Sequence, residues 1–188
     1  MTQKSKILVT RKWPSSVEKR LQENFDTTLN FSDTPLSEDE LLNAIENFDA
    51  LLPTVTDKIT DKIISSKQRR AKIIGNFGVG FNNIDIESAK ANGVVVTNTP
   101  EVLTDCTADI AMLLLLGVAR KGSEGEYHVR KKEWSGWRPT HMMGTKVTGK
   151  ILGLVGMGRI AQAVAQKAHF GFGMKILFFD PYFNNEDV

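Results

Sequence analysis

The amino-acid sequence predicts an α/β protein whose strands run parallel. Over the first 100 residues, short apolar runs alternate with amphipathic stretches, which is the pattern of strands joined by crossover helices. A long apolar helical segment follows Pro100. From Ile151 onward the sequence predicts a further strand, a glycine turn, a helix and another strand. With 41% hydrophobic and 24% charged residues among 188, the composition is that of a globular protein.

Five short apolar runs are the strand candidates of the first part. They cover residues 6–10, 27–32, 50–53, 72–78 and 94–99. The run at 27–32, TTLNFS, is the weakest of them. A helix over residues 85–93 precedes the last strand and is expected to end at Gly93 in a left-handed cap. Five parallel strands with helices on both faces predict a flavodoxin-like domain for residues 1–100.

Two earlier amphipathic stretches predict helices with different starts. In residues 14–25, either Ser15 or Ser16 is expected to cap the helix. Ser37 and Glu40, three residues apart, predict a capping box at the start of the next helix. The buried stripe of that helix is expected at Leu41, Leu42, Ile45 and Phe48.

Residues 101–150 predict a long connecting helix followed by an ordered loop. Helical periodicity runs from Leu103 to about Lys131 and is interrupted only near Gly122 to Gly125. The next residues are rich in aromatic and turn-forming types and show no sustained period. A segment of this length can join two domains.

The run ILGLVGMGRIA, starting at Ile151, contains a glycine pattern typical of dinucleotide-binding turns. Gly156, Gly158 and Ala161 fit G-x-G-x-x-G/A directly after an apolar strand. The first glycine permits a tight turn, and the second lets a pyrophosphate approach the backbone. The following helix would hold the phosphates at its N-terminus. The candidate cofactor-binding residues of this turn are Gly156, Met157, Gly158, Arg159 and Ile160, with Arg159 able to add a positive charge.

Asp180 completes the pattern at the end of the next strand, KILFF. An acid about 20 residues after the glycines is placed to accept hydrogen bonds from the adenosine ribose hydroxyls and to repel a 2′-phosphate. The sequence therefore favours NAD over NADP, with Asp180 as a cofactor-binding residue. The alternative is an ordinary glycine turn with an unrelated surface aspartate. Residues 151–188 are predicted to be the start of a Rossmann NAD-binding domain, incomplete at two strands.

Composition argues against several classes of partner. The net charge is +2 and basic residues are scattered, so no nucleic acid is expected. The most apolar run, residues 110–119, is about half of what a membrane span needs, and residues 1–20 do not predict a secretory leader. The single cysteine, Cys106, fits a reducing, cytoplasmic location and is expected to be a small buried hydrophobic residue. No metal site is predicted.

Four long motifs together resemble the D-isomer-specific 2-hydroxyacid dehydrogenases, and within them the glyoxylate/hydroxypyruvate reductase branch. They are GVGFNNIDIESAKANGVVVTNTP at 78–100, TDCTADIAMLLLLGVAR at 104–120, WSGWRPTHMMGTKVTGK at 134–150, and the glycine motif with its flanking strands at 152–182. The resemblance implies hydride transfer between NAD and a small 2-keto or 2-hydroxy acid, with the flavodoxin-like part as the substrate domain.

Site residues also follow from the resemblance. It implies that the backbone N–H groups of Val79 and Gly80 bind the substrate carboxylate and that Thr107 lies near the nicotinamide. Alternatively, GVGFNN is only a turn, and Thr107 is an ordinary cap or core hydroxyl. It also implies a homodimer, in which Trp134 and Trp137 either anchor the partner or cover their own domain.

The family's catalytic arginine, glutamate and histidine would follow Val188, so this sequence is expected to be a truncated piece of a chain of about 310 to 340 residues. None of His128, His141 and His169 is expected to replace the missing histidine. The chain by itself is therefore predicted to be inactive. The alternative functions are a non-catalytic, co-repressor-like NAD-binding protein and an interaction protein on the same fold.

Overall fold

The computed structural model describes residues 3–183, and the chain divides into two compact units, Met1–Glu101 and Val102–Val188. The first unit holds a five-stranded parallel sheet in the order β2-β1-β3-β4-β5. Its strands are β1 Lys6–Val9, β2 Asp26–Leu29, β3 Ala50–Leu52, β4 Ile73–Gly75 and β5 Val95–Thr97. This order is that of flavodoxin-like folds, so the predicted fold class is confirmed.

Four helices cover this sheet: α1 Ser15–Asn24, α2 Glu38–Asn47, α3 Asp61–Ile64 and α4 Ile86–Ala91. The core lies around the three central strands, where Val9, Leu51 and Ile74 are fully buried. Strand β4 ends at Gly75, earlier than predicted; beyond it Phe77 makes an isolated parallel bridge with Thr54, and the chain then forms a loop. The carboxyl ends of parallel strands share one edge of the sheet, so this loop lies at the edge where α/β folds bind ligands.

The two predicted helix starts have opposite outcomes. Ser37 forms the predicted capping box: its Oγ accepts from Glu40 N at 3.3 Å, while Glu40 Oε2 accepts from Ser37 N at 2.7 Å. The expectation for Ser15 or Ser16 is wrong, because both residues already lie inside α1 and Pro14 occupies the cap position. The carbonyl of Pro14 accepts the N–H of Val17 instead.

The buried stripe of α2 is narrower than predicted. Leu41, Ala44 and Ile45 are buried, whereas Leu42 and Phe48 are only partly buried against the core. The buried face also includes Ala44, which follows Leu41 at a spacing of three residues and so lies on the same side of the helix.

Replacing Ser37 with alanine is expected to lower the free energy of unfolding by about 1 kcal/mol, because one N-terminal N–H of α2 loses its acceptor. The change is measured by urea unfolding. Ser16→Ala is the matched control, since Ser16 is an exposed serine inside a helix. An equal effect of both substitutions would contradict a specific role for the capping box.

The second unit contains α5 Thr104–Ala119, α6 Gly122–Arg130, β6 Ile151–Val155, α7 Arg159–Phe172 and β7 Lys175–Phe179. Strands β6 and β7 pair in parallel, with Ile151 opposite Lys175 and Val155 opposite Phe179. The predicted helical segment breaks at Lys121, whose φ of 56° is left-handed, just before Gly122. Helices α5 and α7 pack together through Ala108, Met112, Val164 and Ala168.

The prediction for Cys106 is wrong, because this cysteine is exposed. Helix α5 buries Ala108 and Met112. A residue two positions before Ala108 is rotated by about 200° around the helix, so it faces the opposite side. Within residues 3–183, none of the helices combines the length and apolar character that crossing a membrane requires.

Candidate functional site

The glycine turn joins β6 to α7 in the second unit. Gly156 has a φ of 93°, a left-handed conformation that glycine adopts without strain, and its N–H donates to Phe179 O at 2.7 Å. Gly158 is the N-cap of α7 in an extended conformation. A Cβ atom built on either glycine meets no atom within 4 Å, so the space beside this backbone is open.

Asp180 lies directly against this turn. Its Oδ2 accepts from Met157 N at 2.7 Å, and its Oδ1 accepts from Tyr182 N at 2.8 Å. The Met157 N–H and, to a lesser extent, the Tyr182 N–H hold the pKa of the Asp180 carboxyl below its ordinary value. The carboxylate is therefore ionised at neutral pH beside the glycine turn.

The first turn of α7 supplies the remaining cofactor candidates. Arg159 and Ile160 are its first two residues, at the helix end where backbone N–H groups carry partial positive charge. Gln162 was not predicted from the sequence; its Nε2 donates to Met157 O at 3.0 Å and fixes the same peptide segment. A polar residue four positions into such a helix is the signal that could have indicated it.

Thr107 lies on the exposed side of α5, so it is not a core hydroxyl. Its Oγ1 donates to Leu103 O at 2.9 Å in the preceding turn of the chain. Lys167 of α7 forms ion pairs with Asp105 at 3.2 Å and Asp109 at 2.9 Å, and these carboxylates raise the pKa of Lys167. The helix that carries Thr107 is thus tied to the helix that begins at the glycine turn.

The GVG loop, residues 78–80, follows β4 in the first unit. Val79 O accepts from Asn98 Nδ2 at 2.9 Å, and Gly80 O accepts from Asn76 Nδ2 at 2.8 Å. Asn76 is 2% exposed, and its Oδ1 accepts from Asn83 Nδ2 at 3.2 Å. Among residues 3–183, the N–H groups of Val79 and Gly80 have no acceptor. They are therefore available to an anion.

The three histidines occupy other surroundings. His128 Nδ1 donates to Glu133 Oε2 at 2.8 Å, and its ring lies 5.0 Å from that of His141. Arg138 Nη2 donates to His141 Nδ1 at 3.0 Å; desolvation and then the charge of Arg138 lower the pKa of His141. His169 Nδ1 donates to Met174 O at 2.9 Å just after α7, which is a structural hydrogen bond.

Comparisons with known proteins show the family to which the chain belongs. Residues 7–179 match the model of the D-isomer specific 2-hydroxyacid dehydrogenase catalytic domain. The chain is 39% identical over 179 residues to a glycerate dehydrogenase from Hyphomicrobium methylovorum, covering 95% of this chain and 55% of that protein. It is 43% identical over 180 residues to a glyoxylate reductase from Thermococcus litoralis, covering 94% of this chain and 54% of that protein.

A solved structure from Polaromonas sp. JS6 66, described as an NAD-binding D-isomer specific 2-hydroxyacid dehydrogenase, superposes with a TM-score of 0.88 at 36% identity. The match covers 97% of this chain and 57% of that structure. The chain therefore spans about half the length of the curated relatives it matches. It belongs to the D-isomer specific 2-hydroxyacid dehydrogenase family.

Proposed function

We propose that this chain serves an NAD-dependent oxidoreductase of the glyoxylate reductase type. The observation that carries the proposal is the contact of the Asp180 carboxylate with the Met157 N–H of the glycine turn. It joins the acid that would bind a ribose to the backbone that would bind a pyrophosphate. When bound, the nicotinamide supplies the hydride that reduces a 2-keto acid.

The turn would hold the dinucleotide through its own backbone. The open space beside Gly156 and Gly158 lets a pyrophosphate approach, and the N-terminus of α7 provides partial positive charge. The ionised Asp180 would accept the ribose hydroxyls and repel a 2′-phosphate, which supports NAD over NADP. The family position of Thr107 implies a contact near the nicotinamide.

The substrate would be a small 2-keto or 2-hydroxy acid, as for the glyoxylate reductases that the chain resembles. Its carboxylate would accept hydrogen bonds from the N–H groups of Val79 and Gly80. Hydrogen bonds to a charged acceptor are stronger than neutral ones, so two such N–H groups orient the acid end of the substrate. The catalytic arginine, glutamate and histidine would come from residues outside this chain.

We also propose a cytoplasmic homodimer. Trp134 and Trp137 are 58% and 82% exposed, which supports their use as anchors for a second copy over a role in covering their own unit. The exposed thiol of Cys106 suits a reducing compartment, where it would remain unoxidised.

The direct test is a titration of the 188-residue chain with NADH, in which binding is monitored by nicotinamide fluorescence. Saturable binding is expected because the turn, Asp180 and the start of α7 belong to one compact unit. Failure of both NADH and NADPH to bind, in a chain whose circular dichroism shows folded structure, would refute the cofactor assignment.

The same chain is expected to show no glyoxylate reduction with NADH above the rate without protein. Within residues 3–183, the histidine that hydrogen-bonds a glutamate is His128, on α6, and its partner Glu133 lies in the loop after that helix. This histidine is not expected to replace the catalytic one. The measurement is NADH absorbance in the presence of glyoxylate. Turnover that disappears in His141→Ala or His169→Ala would contradict the prediction, and the same holds for His128→Ala.

A further inference from the structure

We propose that Asn98 is a positioning residue for carboxylate binding by the GVG loop. Its side-chain amide fixes the direction of the Gly80 N–H and thereby sets the affinity for the substrate carboxylate. This inference rests on the proposed function of the loop and extends it to a residue that does not itself contact the ligand.

Two hydrogen bonds set the directions of successive peptide groups in the loop. Gly78 O accepts from Thr99 N at 2.9 Å, and Val79 O accepts from Asn98 Nδ2 at 2.9 Å. In a trans peptide the C=O and the next N–H point in opposite directions. The Val79 N–H therefore points away from Thr99, and the Gly80 N–H points away from Asn98.

This arrangement differs from that of a strand. In a strand, successive carbonyls point to opposite sides. Here two successive carbonyls bind the neighbouring residues Asn98 and Thr99, so the next two N–H groups share the opposite side. Successive N–H groups that converge in this way form a concave site for an anion.

Of the donors that hold the loop, Asn98 is the one that a substitution can remove without disturbing the rest. The Thr99 donor is a backbone N–H, which side-chain substitution does not remove. Asn76 is buried and links Asn83 to Gly80, so its loss would disturb the whole loop. Asn98 is only half-buried. Without its amide, the peptide between Val79 and Gly80 would turn toward water, and the Gly80 N–H would lose its direction.

The test is a titration of the 188-residue chain with oxamate, a carboxylate analogue of the substrate. Binding is monitored by the chemical shifts of the backbone amide NMR signals. In the unmodified chain, the signals of Val79 and Gly80 should shift and saturate together. In Asn98→Ala, the dissociation constant should rise about tenfold, the value of one directed hydrogen bond. The Gly80 shift should shrink while the Val79 shift persists, because Thr99 still holds Gly78 O. A merely structural role would not separate the two signals.

Two further variants make the result decisive. Asn24→Ala is the matched control, since its exposed amide donates to a backbone carbonyl, Arg20 O, at 2.7 Å. Asn98→Asp keeps the size of the side chain but replaces the donor by a carboxylate, so it should weaken oxamate binding further; it decides the question if Asn98→Ala does not fold. Unchanged Gly80 shifts and affinity in the Asn98 variants would overturn the inference. Absence of any shift in the unmodified chain would instead overturn the carboxylate site, and this inference with it.

Discussion

Replacing Gly156 with valine is expected to raise the dissociation constant for NADH by about 100-fold or more. Gly156 has a φ of 93°, which a β-branched residue adopts only with strain of about 1–3 kcal/mol. Its added side chain would also enter the open space that a pyrophosphate requires. A 100-fold loss corresponds to about 2.8 kcal/mol, which the strain and the lost phosphate contacts together supply.

The measurement is a fluorescence titration with NADH of the unmodified chain and of the variant. Gly171→Ala is the matched control, because Gly171 lies in α7 of the same unit and a Cβ there also meets no atom within 4 Å. The control should bind like the unmodified chain and fold at least as well. NADH binding that survives in Gly156→Val would show that the phosphates lie elsewhere.

Replacing Asp180 with alanine is expected to lower the preference for NADH over NADPH by about 10- to 100-fold. Hydrogen bonds from ribose hydroxyls to a carboxylate are worth about 1.5–3 kcal/mol, and these would be lost for NADH. The repulsion of a 2′-phosphate by the carboxylate would disappear for NADPH. The ratio of the two dissociation constants measures the change, and an unaltered ratio would remove Asp180 from the cofactor site.

The charge of Asp180 also predicts how the preference for NADH over NADPH depends on pH. Because its pKa is lowered in the folded protein, its stabilising contacts are present above the ordinary carboxyl pKa and are lost as the pH falls through the lowered value. Selectivity should therefore be constant across neutral pH. Asp26→Ala, at an exposed aspartate of the other unit, is the control and should leave the ratio unchanged.

The sequence predicted those features that depend on residues close together in the chain. The capping box of Ser37 and Glu40 spans four residues, and the glycine pattern at 156–161 spans six. The flavodoxin-like class also followed, because short apolar runs separated by helices restrict a parallel sheet to few topologies. The contact of Asp180 with the glycine turn agrees with the spacing of the motif.

Features set by tertiary packing were missed or mistaken. The side of α5 that is buried depends on α7, so the exposure of Cys106 could not be inferred from its apolar neighbours. The hydrogen bond from Asn98 to Val79 joins residues 19 apart, and no local pattern specifies it. The motifs GVGFNN and TNTP contain these residues, but only the fold brings them together.

The bond between Asp180 and Met157 has a consequence for the kinetics of binding. Because the Asp180 side chain already fixes the glycine turn, the turn loses little conformational entropy when a ligand binds. Such preorganisation favours rapid association, because no slow rearrangement of the backbone has to precede it. Asp180→Asn, whose amide oxygen can still accept from Met157, should keep the fast association rate even where it alters which dinucleotide is preferred.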